Sequence, residues 1–188
     1  MRRTGLAVGL AVVAVAALGG CGSSGPARAS GPFGWLKPAP RPAAWHVARI
    51  HGGALLAYPP GWKALRTDPG TASVGLRGTD GRIDAYLNAT PRQGTETLAN
   101  WSRFRPRHNR SEGSRGERLI AATADGRFRS GRGACVIDEY TTTKTTYREI
   151  ACLVSGPRSS AVVVAAARSA LWHTQAATLQ RAVASFVA

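Results

Sequence analysis

A run of basic residues near the middle of the chain is the feature best suited to binding chemistry. It contains six arginines and a histidine, with two aromatic residues interleaved: Trp101, Arg103, Phe104, Arg105, Arg107, His108, Arg110, Arg115 and Arg118. Arginine presents its N–H donors in a planar fork that suits phosphates and carboxylates. The run predicts either a surface for an anion or a partner, or a solvated basic loop. The candidate binding residues are Arg103, Arg105, Arg107 and Arg110.

Catalytic chemistry finds little support in the residue pattern. The sequence has no Gly-x-Ser-x-Gly nucleophile elbow and no phosphate-cradling glycine loop. The four histidines are scattered and have no metal-binding spacing: His46, His51, His108 and His173. The closest acidic pair is Asp138 with Glu149, and like charges on neighbouring strands are usually solvated. We therefore expect no enzymatic activity, no metal ion and no cofactor.

The N-terminus has the parts of an export signal. Two arginines precede an apolar run over residues 6–18, which is shorter than the roughly 20 residues of a membrane span. The tetrad Leu18-Gly19-Gly20-Cys21 resembles the lipobox of bacterial lipoproteins. That resemblance implies that residues 1–20 are removed and that Cys21 carries a diacylglyceryl group, whose two acyl chains suffice for stable anchoring. We therefore expect a lipid-anchored protein on the extracytoplasmic face of the cell membrane.

The cysteines predict a disulfide and a strand register. With lipid on Cys21, Cys135 and Cys152 remain as a pair in an oxidising compartment. If they lie opposite each other in an antiparallel hairpin, the turn falls at Thr143-Lys144. The same register pairs Ile137 with Ile150, Glu139 with Arg148, Tyr140 with Tyr147, and Asp138 with Glu149. The last pair would need open solvent or a cation, for which Arg127 or Arg129 is a candidate.

Charge composition narrows the class of partner. Lys and Arg number 25 against 10 Asp and Glu, a formal net charge of +15. Export makes nucleic acid an unsuitable partner, which leaves an anionic membrane leaflet or wall polymer. The alternative is that an arginine-rich composition with few lysines reflects a GC-rich genome.

The chain divides into a tether and one domain. Residues 21–44 are rich in Gly, Ser, Ala and Pro, which predicts a lipidated tether. Phe33, Trp35 and Leu36 interrupt it and could dock on the domain or enter the membrane interface. Residues 45–188 are long enough for a single α+β domain.

Apolar periodicity places the elements of that domain. Alternation predicts strands over 45–50, 54–58, 73–77, 83–90, 117–124, 127–130, 134–142, 146–155 and 160–167. Asp80-Gly81 predicts a hairpin turn, and Asp125-Gly126 a break between strands. A short helix begins near Thr95 and ends before Pro106, and an exposed loop follows to residue 116. An amphipathic helix from about Thr174 closes the chain.

The motif Tyr58-Pro59-Pro60-Gly61-Trp62, this order of elements and the closing Ala184-Ser185-Phe186 resemble the PsbP-like fold. That resemblance implies an antiparallel sheet between two helices, an α/β/α sandwich. With the lipobox and the paired Cys135 and Cys152, the chain is similar to exported lipoproteins of high-GC Gram-positive bacteria. Members of the fold mostly act as binding or assembly modules without catalytic residues.

Two functions fit these features. The first is a non-enzymatic, membrane-anchored envelope lipoprotein that binds a partner protein or an anionic envelope component through the basic helix–loop region. The second is a carrier or sensor of a small apolar ligand held between the sheet and the terminal helix, which requires an enclosed apolar pocket there.

Overall fold

The computed structural model describes residues 31–188. The signal over residues 1–20, the lipid site Cys21 and the first part of the tether lie outside the described residues. Neither helix of the described part is long and apolar enough to cross a membrane.

Nine strands and two helices make up the described part. The strands are β1 (His46–Arg49), β2 (Leu55–Tyr58), β3 (Lys63–Ala64), β4 (Ala72–Arg77), β5 (Ile83–Pro91), β6 (Arg115–Phe128), β7 (Gly131–Thr141), β8 (Thr146–Ser155) and β9 (Ser160–Arg168). The helices are α1 (Trp101–Ser111) and α2 (Trp172–Ala184), the latter entered through a single 3-10 turn at Ser169–Leu171. β3 to β9 form an antiparallel sheet in the order β3-β4-β5-β9-β8-β7-β6, and β1 pairs with β2 in a separate hairpin.

The sheet lies between two layers, which confirms the predicted α+β class. Residues of α1 pack on one face, and residues of α2 and of the β1–β2 hairpin pack on the other. The central strand β9 reads Ala-Val-Val-Val-Ala-Ala-Ala and is buried on both faces. Strands that are buried on both faces usually consist almost entirely of apolar residues.

The predicted hairpin register of β7 and β8 is confirmed. Cys135 lies opposite Cys152, their Cα atoms are 4.1 Å apart, and their sulfurs form a disulfide. Thr141 pairs with Thr146 at the end of the ladder, which places the turn at Thr143-Lys144. The Asp80-Gly81 hairpin turn between β4 and β5 is also confirmed.

The predicted break at Asp125-Gly126 is wrong. β6 is one strand of 14 residues that runs through both positions with irregular register. Gly126 lies opposite Gly133, and a Cβ on Gly133 would come within 3.0 Å of two ring carbons of Phe128. The two glycines therefore leave room for a buried aromatic ring and do not turn the chain.

The predicted bounds of the first helix are also wrong. α1 begins at Trp101, contains Pro106 and continues to Ser111, so much of the expected loop is helical. Proline inside a helix removes one hydrogen bond and costs about 3 kcal/mol. Buried side chains on both sides of it, Trp101 and Asn109, attach the helix to the sheet. These contacts offset the cost.

Residues 31–41 form a segment, here called the N-terminal strap, that packs on the α2 side of the molecule. Phe33, Trp35 and Leu36 contact the core, and Leu36 is 9% exposed. The Ala39 N–H donates to the carbonyl of Ala184 over 3.0 Å. Of the two alternatives for the aromatic residues of the tether, the structure shows docking on the domain.

Candidate functional site

The helix α1 presents two different rows of side chains. Trp101, Arg105 and Asn109, spaced four residues apart, point toward the sheet. A second row, called here the outer row, consists of Arg103, Arg107 and Arg110 and is exposed to solvent. The spacing of three and four residues brings its members onto one helix face. The predicted arginine cluster is therefore divided between a buried and an exposed face.

The first residue of the buried row attaches the helix to β8. Trp101 is 1% exposed, and its indole N–H donates to the carbonyl of Ala151 over 2.9 Å. Phe104 stacks on Trp101 and His108 stacks on Phe104, with ring centroids 5.9 and 5.8 Å apart. The aromatic residues of the basic run thus stabilise the helix on the sheet.

Arg105 forms a buried ion pair with Glu149 of β8. Its Nε lies 2.7 Å from Oε1 and its Nη2 2.9 Å from Oε2. The Glu149 side chain is inaccessible to solvent and that of Arg105 is 12% exposed. Asn109 donates to the same carboxylate over 3.3 Å. Arg105 was a candidate for binding an anion or a partner, but its guanidinium forms this internal ion pair instead.

Asp138 lies opposite Glu149 and is also fully buried. Its two carboxyl oxygens have no hydrogen-bond partner among the described residues. Burial and then the charge of Glu149 raise the pKa of Asp138 to about 9. Asp138 is therefore neutral at pH 7, which removes the like-charge conflict within the strand pair.

Two predictions about how the Asp138–Glu149 pair is accommodated were wrong. The acidic pair is not solvated, and its cation is not Arg127 or Arg129. Both of those arginines lie near the β6–β7 turn, away from Glu149 along the ladder. The cation comes from α1, which covers the pair. Sequence spacing could not reveal this contact because Arg105 and Glu149 are 44 positions apart.

Other polar groups complete this buried layer. The hydroxyls of Tyr86 and Tyr140 share a hydrogen bond, and burial raises the pKa of both side chains. Burial and then Glu149 raise the pKa of Glu117. Burial acts to lower the pKa of Arg105, but the charge and hydrogen bonds of Glu149 outweigh it and the net shift is upward. Arg105 therefore stays charged.

The buried layer supports the helix and does not form an open active site. Shifted pKa values mark catalytic groups, but structural ion-pair networks shift them as well. Both Asp138 and Glu149 have no solvent-accessible surface, so a substrate has no route to either. The described residues also contain no group of three His, Cys, Asp or Glu side chains placed to hold a metal ion.

The outer row is different because none of its members forms an ion pair in the described part of the chain, although, against the effect of burial, the charge of Arg110 acts to lower the pKa of Glu117. Within residues 31–188, no carboxylate lies within 4.0 Å of Arg103, Arg107 or Arg110. Residues 1–30 contain no Asp or Glu. Like charges one turn apart on a helix repel each other, and an anion bound across them relieves that repulsion. These three arginines are the accessible part of the predicted site.

The remaining arginines of the run play other roles. Arg118 forms an ion pair with Glu139 over 3.0 Å, and Arg115 is exposed at the start of β6. The Cys135–Cys152 disulfide lies on the opposite face of the sheet, among the core residues beneath α2. It is therefore a structural crosslink, remote from the outer row.

A small cleft beside α1 contains a residue whose surroundings the sequence did not reveal. It has a volume of about 220 Å³ and is lined by Glu96, Phe104, Arg105 and His108 among others. Glu96 is 4% exposed, and its Oε1 accepts from the backbone N–H of Gln93 over 2.9 Å. A helix beginning near Thr95 would have placed Glu96 in its first turn, but α1 begins only at Trp101. The cleft is smaller than the roughly 300 Å³ at the lower end of ligand sites.

The space between the sheet and α2 is packed. Ile150 and Val163 of the sheet meet Leu179, Val183 and Phe186, and all five are 0% exposed. Side chains of the described residues therefore occupy the place where the apolar-ligand hypothesis requires a pocket.

Comparison with known proteins gives structural relatives only. No protein-family model matches the chain, and no curated protein matches its sequence. Among solved structures, cyanobacterial PsbP (CyanoP) from Synechocystis sp. PCC 6803 superposes with a TM-score of 0.55 and 18% identity, covering 90% of this chain and 97% of that one. PA94 from Pseudomonas aeruginosa, a protein of unknown function, gives 0.50 and 13%, covering 77% and 96%.

LpqN, involved in cell envelope biogenesis of Mycobacterium tuberculosis, is a more distant match. Its TM-score is 0.37 at 14% identity, with 79% of this chain and 80% of that chain covered. A score this low supports no inference. The likeness to CyanoP shows the fold, and the described domain has the PsbP-like arrangement of an antiparallel sheet with two helices.

Proposed function

We propose that this chain, whose domain has the PsbP-like fold, is a non-enzymatic binding protein of the cell envelope. Its binding surface is the outer row of α1, and its partner is an anionic envelope component, either a wall polymer or an acidic protein surface. The observation that carries the proposal is the alignment of Arg103, Arg107 and Arg110 on one exposed helix face without a carboxylate partner in residues 31–188.

The rigid support beneath α1 favours this function. A charged helix binds best when its side chains are presented by a backbone that is already ordered, since ordering on binding costs free energy. Trp101 and Arg105 attach the helix to β8 through buried contacts 2.7–2.9 Å long. The same buried layer shields the acidic groups Asp138 and Glu149, so these two carboxyl groups do not reduce the positive charge that the outer row presents.

The proposal includes the membrane anchor. Residues 1–20 serve as the export signal and Cys21 carries lipid, which keeps the domain close to the outer face of the membrane. Two acyl chains are enough for stable attachment without a transmembrane helix. An anchored domain samples only partners within reach of its tether, so an envelope polymer or protein is a suitable partner.

Binding to purified envelope material tests the proposal. The full chain with Arg103→Gln, Arg107→Gln and Arg110→Gln should bind a washed wall fraction at least tenfold more weakly at 50 mM salt, and the difference should shrink at 500 mM as charges are screened. A triple Gln variant at Lys37, Arg129 and Arg181, on the α2 side, is the charge-matched control and should bind like the unmodified chain. Equal binding by the outer-row variant would refute the proposal.

A further inference from the structure

The N-terminal strap lies among basic side chains on the α2 side of the molecule and at the neighbouring β6–β7 turn. Six exposed residues, called here the basic collar, surround it: Lys37, Arg41, Arg127, Arg129, Arg132 and Arg181. Lys37 and Arg181 line one cleft with Trp35. Arg127 and Arg132 line a second cleft with Pro38. Arg41 and Arg129 line a third. The strap therefore connects three basic clefts.

The charges of the collar are largely uncompensated. Arg132 alone of the six has an ion-pair partner among residues 31–188, the exposed Asp125 at 2.9 Å. Arg127 and Arg132 stand directly opposite each other on β6 and β7, and because Arg132 is three positions from Cys135, both side chains extend from the α1 face of the sheet at its turn end. Like charges directly opposed across a strand pair destabilise it. The ion pair of Arg132 with Asp125 relieves part of this repulsion. On the α2 side, the charges of Lys37, Arg41, Arg129 and Arg181 have no such partner among residues 31–188.

The position of the strap decides which anionic surface can reach the collar. A turn at residues 31–34 is closed by a hydrogen bond from the Gly34 N–H to the Gly31 carbonyl, and Trp35 follows directly beside Lys37. Ten residue steps separate Gly31 from Cys21, which span at most about 35 Å when fully extended. Lipid on Cys21 would thus hold the collar within a short distance of the membrane surface.

We propose that the basic collar docks the domain on the anionic headgroups of the membrane to which it is anchored. This inference rests on the lipid anchor of the proposed function. It adds an orientation: Lys37, Arg41, Arg129 and Arg181 on the α2 side face the membrane, and the outer row of α1, on the other face of the sheet, points away from it toward the wall. The two basic surfaces therefore have different partners.

Vesicle binding tests the collar without the anchor. The full Cys21→Ser chain cannot be lipidated, and it should bind phosphatidylglycerol vesicles but not phosphatidylcholine vesicles. Adding Lys37→Gln, Arg129→Gln and Arg181→Gln should weaken binding by about 100-fold, because each basic residue at a membrane surface contributes roughly fivefold. The outer-row triple variant is the matched control and should change binding less than threefold. Equal losses in the two variants would overturn the proposal.

A footprint on the unmodified protein gives a second test that no folding defect can obscure. On phosphatidylglycerol vesicles, phenylglyoxal should modify Arg129 and Arg181 at least fivefold more slowly than in detergent, while Arg103 and Arg107 keep their reactivity. Protection of the outer row instead would overturn the proposal. The intact mass of the mature chain reports lipidation separately, so a missing anchor and an inactive collar give different results.

Discussion

Arg105 of α1 and Glu149 of β8 form a bidentate ion pair beneath the helix, with Nε 2.7 Å from Oε1 and Nη2 2.9 Å from Oε2. The pair joins α1 to the acidic strand residues that the helix covers. It stabilises the surface proposed for binding without belonging to that surface. Three predictions about the stability of the domain follow from this pair and its surroundings.

Arg105→Met should lower the free energy of unfolding by about 3–5 kcal/mol, because it leaves the buried Glu149 carboxylate without its cation. Arg103→Met on the exposed face is the control and should change stability by less than about 0.5 kcal/mol. The double variant Arg105→Met with Glu149→Gln should be more stable than Arg105→Met alone, since it removes the uncompensated charge. Urea unfolding measures all three, and similar stabilities for Arg105→Met and Arg103→Met would contradict the assignment.

Asp138→Asn should flatten the pH dependence of stability. The folded pKa of Asp138 is about 9 and its unfolded value is about 3.9. Between these values the folded state holds a proton that the unfolded state releases, so stability is highest at low pH and decreases as pH rises toward 9. The raised pKa of Glu117 adds to this trend.

The measurement for Asp138→Asn is urea unfolding at pH 5 and pH 8. The free energy of unfolding of the variant minus that of the unmodified protein should be larger at pH 8 than at pH 5, by on the order of 2–4 kcal/mol. Asp125→Asn, at an exposed position of β6, is a suitable control. The idea fails if the variant and the unmodified protein lose stability in parallel as pH rises.

Cys135→Ala with Cys152→Ala should lower the free energy of unfolding by about 2–4 kcal/mol, because the crosslink closes a short loop in the unfolded chain. Both cysteines are at most 1% exposed, so a reductant should reach the disulfide only when the hairpin opens. Dithiothreitol should therefore reduce the native protein far more slowly than the protein in urea, as judged by thiol alkylation. Rapid reduction in native buffer would show that the hairpin end opens readily.

Sequence reasoning was accurate where the determining interactions are local. The β7–β8 hairpin has ten paired positions joined by a short turn, and complementary pairs such as Ile137 with Ile150 specify its register. The prediction of a break at Asp125-Gly126 was wrong because glycine is needed there to make room for the ring of Phe128, and not to turn the chain. That ring packs near Leu36 of the strap, which is far away in sequence.

The sequence by itself determined the α+β class, the cysteine pair and the concentration of arginines between residues 103 and 118, because apolar periodicity and residue type are local properties. The tertiary structure alone decided what each arginine does. Contacts with the sheet allow α1 to continue beyond Pro106. The helical period then places Arg105 against a carboxylate 44 residues away in sequence and leaves Arg103, Arg107 and Arg110 exposed to solvent. Burial and electrostatic pairing depend on distances across the fold, which spacing along the chain does not encode.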